Sequence, residues 1–186
     1  TLSDALTGGG AMTVRDGAAQ SYAALTVGSL SIQDATTSVT FNNDLNATTT
    51  ITVNSGGTIV LTGNIATGTN VDFDATSTIG LTGSISVSGT VDIDATGVTT
   101  IGANADINVG GAVRFGFAKT GTLTTAGDID TTDDNITFTR AVTLTAAVDV
   151  DTTGTAAGNS LFSSTIATAG FALALDAGTA GNITLS

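Results

Sequence analysis

The chain carries sixteen acidic residues and every one is Asp; four of them form the pairs Asp72-Phe73-Asp74 and Asp92-Ile93-Asp94, set 20 residues apart. Successive side chains of a β-strand point to opposite faces. Asp72 and Asp74 therefore share one face while Val71, Phe73 and Ala75 share the other. If the two strands stack in register, about 4.8 Å apart, Asp72, Asp74, Asp92 and Asp94 form one patch. Like charges so placed repel. They stay solvated, rise in pKa, or hold a hard cation such as Ca²⁺ through oxygen ligands. Asp128, Asp130, Asp133 and Asp134 make a second acidic cluster with the same choices. A solvated outer face is the plainer reading of both. No cofactor is required, and Ca²⁺ is the one ion the pattern suggests.

Other chemistry has little to work with. The chain has no His and no Cys. Ser-His and Cys-His nucleophiles and imidazole metal ligands are therefore excluded. Without Glu there is no bidentate residue to close an EF-hand loop. Asn108-Val109-Gly110-Gly111-Ala112 is the nearest approach to a calcium-roll repeat and lacks the Gly-x-Asp that should follow. Paired Asp can serve glycoside hydrolysis, but seven Phe and one Tyr read as core filling and not as sugar platforms. The chain reads as no enzyme. Arg114 and Lys119 flank Phe115-Gly116-Phe117; Val113, Phe115 and Phe117 are expected inside and Arg114 outside. The run Thr48-Thr49-Thr50-Ile51-Thr52 raises the thought of a flat ice-binding face. The threonines do not recur at one coil angle in the sequence, so a solvated β-face is expected. Asn46, Asn135 and Asn182 each fit a glycosylation sequon, a frequent chance match in Thr-rich sequence.

The elements that must position these residues are short strands. Apolar and small polar residues alternate in Leu30-Ser31-Ile32, Ile51-Thr52-Val53, Ile85-Ser86-Val87, Ile107-Asn108-Val109 and Ile136-Thr137-Phe138. Gly, Asn, Asp and Ser between them supply turns. Val71-Asp72-Phe73-Asp74-Ala75-Thr76 returns as Val91-Asp92-Ile93-Asp94-Ala95-Thr96, a period that suits one coil of a parallel β-helix. Gly127-Asp128-Ile129-Asp130-Thr131-Thr132 and Val148-Asp149-Val150-Asp151-Thr152-Thr153 continue it irregularly. Asn135-Ile136-Thr137-Phe138-Thr139 is echoed 47 residues later by Asn182-Ile183-Thr184-Leu185-Ser186, about two coils on.

Composition agrees. Twenty-four Gly, no Glu, and exposed positions given to Thr, Ser, Asn and Asp argue against helix. A hydrophobic content of 41% is enough to bury a core and argues against disorder. With only 4% aromatic residues, an elongated stack is favoured over a sandwich. Four basic residues, Arg15, Arg114, Lys119 and Arg140, leave a net charge of −12, which opposes nucleic acid and anionic membranes. No apolar run is long enough for a transmembrane segment. The chain starts at Thr1 without a basic leader and stops at Ser186 inside a strand-like pattern, so it reads as one length of a longer chain or fibre.

Asp134-Asn135-Ile136-Thr137-Phe138, Ala141-Val142-Thr143-Leu144-Thr145 and the stretch from Leu173 to Thr184 resemble the β-strand repeats of large bacterial surface proteins, the filamentous-haemagglutinin-like adhesin group. The resemblance covers residues 127–186 and implies a right-handed parallel β-helix displayed outside the cell. The expectation is thus an all-β solenoid over residues 1–186, about 20 residues per coil, extracellular or at the cell surface. It would be a rigid stalk or self-associating fibre segment. The alternative is an adhesin-type binding module whose Asp-rich, Ca²⁺-dependent face takes a carbohydrate or cell-surface partner.

Overall fold

The computed structural model describes residues 1–186 except Thr67, Thr69 and Phe117, and describes Asp16 by its backbone alone. Strands are the only regular elements among the described residues, so none of them forms a helix long and apolar enough to cross a membrane. Every strand pairing is parallel. The strands stack in about nine coils of roughly 20 residues, a β-solenoid, as the sequence predicts.

Three faces surround the core. The first carries the ladder that runs through Leu30, Ile51, Val71, Val91, Val113, Ile136, Ser160 and Ile183. The second carries Thr58–Leu61, Ile79–Leu81, Thr99–Ile101, Leu123–Thr125 and Val142–Leu144. Ile85–Val87, Ile107–Val109, Ile129–Thr131, Val148–Asp151 and Leu173–Asp176 make the third. The long strands Ala11–Tyr22 and Ser29–Phe41 turn a corner and join the first two faces. The corner of Ser29–Phe41 falls at a register shift between Ile32 and Ala35, where Asp34 adopts a left-handed φ of 59°.

Alternation alone builds the interior. In Ile51–Val53, Val71–Phe73, Ile93–Ala95 and Ile107–Val109 the inward residues are buried, each resting on its equivalent one coil away. The aromatic residues form stacks inside: Phe115 on Phe138 at 5.2 Å between ring centroids, and Phe138 on Phe162 at 4.3 Å. Val113 and Phe115 point inward and Arg114 outward as expected, while Phe117 lies outside the described residues.

The coils are regular where the repeat is strict and longer beyond it. Val71 to Val91 is 20 residues, Val91 to Val113 is 22 and Ile136 to Ser160 is 24. Close stacking also fixes some turn residues: a Cβ on Gly63 would collide with the backbone of Asn43, and one on Gly83 with the carbonyl of Gly63.

Two readings of the repeats are corrected. Asp128-Ile129-Asp130 and Asp149-Val150-Asp151 do not continue the column of Asp72 and Asp92; they stand on the third face. The alternation of a short strand is the same on any face, so the sequence does not distinguish them. Threonines do recur at one coil angle over three rungs, although Val60, Gly80 and Ala167 occupy other rungs of the same column. Thr100, Thr124 and Thr143 are consecutive rungs of one outward column on the second face, because the insertions that obscure the period in the sequence are absorbed at turns.

Candidate functional site

The register places Asp92 on Asp72 and Asp94 on Asp74, so the four-carboxylate patch exists. Its cations belong to the chain itself. Arg114, one coil beyond Asp92 in the same column, places Nη1 3.7 Å from the Asp92 carboxylate. Lys119 pairs with the Asp74 carboxylate. Arg140 lies 3.2 Å from Asp94 and is buried with it. Three of the four basic residues in the chain converge on these four Asp.

The patch is also not the open face expected from the sequence. Ala118 lies over it: its N–H donates to Oδ2 of Asp94 at 2.8 Å. Arg140 reaches the same carboxylate from two coils away. Its Nη1 donates to the Thr99 hydroxyl at 2.9 Å, and its Nη2 donates to Asp94 and to the carbonyl of Ile93. Burial lowers the pKa of this guanidinium, and Asp94 and Asp92 oppose that shift. Burial pushes Asp92 up to about 6, with the Asp94 charge adding and Arg114 subtracting. Asp72 is raised for the same first reason, then by Asp74 and Asp94. The patch therefore combines carboxyls of raised pKa with internal ion pairs. Among the described residues no group of acidic side chains has the arrangement of a metal site.

The second predicted cluster divides. Asp128 belongs to a ladder in which each carboxylate accepts the N–H of the next coil: Asp106 from Asp128 at 3.1 Å, and Asp128 from Asp149 at 2.7 Å. Asp130 is stacked between Asn108 and Asp151. Asp133 turns to the following coil with φ 64° and accepts from the Ala156 N–H at 2.5 Å. The backbone carbonyl of Asp134 accepts the Thr131 hydroxyl at 2.6 Å. The charges that act on Asp130 come from Asp151, Asp128, Asp149 and Asp106; together with burial, the largest cause, they push it up to about 6. Sequence reasoning missed Asp106, Asp149 and Asp151 as members, although the Asp-x-Asp motif at 149–151 was visible.

An Asn ladder runs beside it. Asn135 Oδ1 accepts the Asn159 N–H at 3.0 Å, and Asn159 Oδ1 accepts that of Asn182 at 2.9 Å. The echo of residues 135–139 at 182–186 therefore spans two coils, with Asn159 as the intermediate rung. Asn135 and Asn159, whose side chains are used this way, serve as structural rungs.

No family model matches the chain, and no curated protein or solved structure does either.

Two outcomes follow from the electrostatics. Arg140→Met leaves the Asp94 carboxylate buried without its partner and should cost about 3–5 kcal/mol in denaturant unfolding; adding Asp94→Asn should recover most of that loss. A carboxyl whose pKa is higher folded than unfolded adds stability that is full below its unfolded value and fades as pH rises through the folded one. Asp130 should therefore weaken the fold between about pH 4 and 6, and Asp130→Asn should raise the melting temperature at pH 7 while leaving it little changed at pH 4.

Proposed function

We propose that this chain is a structural element, a rigid length of an extracellular stalk or self-associating fibre at a bacterial cell surface. The observation that carries the reading is the unbroken parallel ladder, in which each coil is held by the N–H and carbonyl groups of the coils beside it. The core column ending in Ile183 and Leu185, 43% and 63% exposed, is the one in which Met12 and Val14 stand at the other end. Another length of the same solenoid, or a second copy, fits either end by continuing the parallel ladder. Such a head-to-tail contact does not close on itself and gives a filament. The resemblance to surface-protein repeats supports the extracellular setting.

Sedimentation over a range of concentrations, with negative-stain imaging, tests self-association. Elongated end-to-end oligomers are expected, and Leu185→Asp should reduce them. A folded chain that stays monomeric at every concentration would remove the self-associating part of the proposal.

The third face favours a second reading. Asp106, Asp128, Asp130, Asp149 and Asp151 gather there with no Lys or Arg in the surrounding strands. As an adhesin-type module, this face would hold a carbohydrate or surface partner with Ca²⁺ relieving the repulsion. Millimolar Ca²⁺ should then raise the melting temperature and EDTA reverse it; an unchanged melting temperature counts against the calcium arm.

A further inference from the structure

The second face differs from the rest of the surface in having no charge. Segments 38–42, 58–62, 78–82, 98–102, 122–126 and 141–145 contain no Asp, Lys or Arg, although the chain carries 20 charged residues. From segment 58–62 onward its outward positions form a grid of three columns in which most residues are Thr and the rest are Val60, Gly80, Val98, Gly102, Ala126 and Ala141. The central column runs Val60, Gly80, Thr100, Thr124 and Thr143. A flanking column runs Thr58, Thr78, Val98, Thr122 and Ala141, set by the bonds from the N–H groups of Ile59, Ile79, Thr99 and Leu123 to the carbonyls of Thr78, Val98, Thr122 and Ala141. The column on the other side runs Thr62, Thr82, Gly102, Ala126 and Thr145.

Thr82 and Thr145 donate their hydroxyls to carbonyls one coil back and keep an oxygen lone pair outward. The hydroxyls of Thr58, Thr78, Thr100, Thr122, Thr124 and Thr143 make no hydrogen bond among the described residues.

The spacing of this grid is fixed by backbone geometry. Neighbouring coils repeat at about 4.8 Å, and outward residues two apart along a strand at about 6.7 Å. Tetrahedrally bonded water with O···O near 2.75 Å has second neighbours at about 4.5 Å, and its hexagonal lattice repeats at about 7.3 Å in the perpendicular direction. The two grids lie within a tenth of each other in both directions. Each Thr offers a hydroxyl to join such a lattice and a methyl to fill its voids.

A carbohydrate crystal would call for aromatic platforms, and a mineral for charges. The face offers neither, since the aromatic side chains nearest it, Phe41 and Tyr22, are buried.

We infer that the second face binds the surface of crystalline water, ordering a water layer across the threonine columns and holding the rod flat on ice. The inference does not depend on fibre assembly, because one copy carries the whole grid.

The test uses the 186-residue chain and ice itself. Partition into a slowly growing ice front and arrest of ice recrystallisation are expected from the wild type. Thr124→Tyr, in the middle of the grid, should lose both, and Thr137→Tyr, outward on the first face, should keep both. Thermal melting checks that each variant is folded; if Thr124→Tyr is not, Thr124→Lys, which extends straight outward, is read in its place. Exclusion of the folded wild type from ice, or full activity of the folded Thr124 variant, overturns the inference. So does a face-to-face dimer seen as rapid disulfide formation between two Thr124→Cys chains, since the grid would then be covered.

Discussion

One hydrogen bond repeated at every rung governs this molecule: the amide of one coil meets the carbonyl of the coil beside it, always in parallel. Because each rung fixes the register of the next, inward positions are constrained as columns and not singly. A column accepts Ile, Val, Leu or Phe, and sometimes a Ser or Thr whose hydroxyl finds a carbonyl, as Thr125 does with Gly127. Extra residues have no place inside the column and are expelled into turns. That is why coils lengthen from 20 to 24 residues while the interior keeps its order.

The same constraint explains how a chain of net charge −12 distributes that charge. Stacking in register puts identical residues on top of one another, so a repeated Asp becomes a row of Asp about 4.8 Å apart. Three solutions appear along the rod. On the first face the row is short and is met by Arg114, Lys119 and Arg140. At the edge of the third face the carboxylates accept amide protons from the next coil, which spreads their charge into the backbone. The second face avoids the difficulty by using Thr. Burial, together with the repulsion that remains, raises the carboxyl pKa values of Asp92 and Asp130.

Much of this was legible in the residues. Alternation, turn composition and the 20-residue echo of 71–76 at 91–96 specify a parallel solenoid and stack Asp72 under Asp92. What the sequence conceals is whichever property depends on the third dimension at a turn. Asp94 looks exposed by alternation yet is covered, because the approach of Ala118 and Arg140 to it is not encoded in their spacing. Arg140 shows no sign of its partner, which is 46 residues away. Asn159 is hidden as a rung because Ser160 stands where its neighbouring coils carry Ile136 and Ile183. The run of Thr100, Thr124 and Thr143 is disguised by insertions that shift the count without shifting the column.

In a stack where each coil touches only its neighbours, loosening travels rung by rung from an open end. Arg140 breaks that rule. It ties its own coil to Asp94 and Thr99 two coils back, so a fraying front arriving from the Ser186 side cannot release one coil there without disturbing three. The rod is thus divided into an outer part that unravels in small steps and an inner part that yields only as a block, and a pull on the outer end would register that boundary as a single large jump in length.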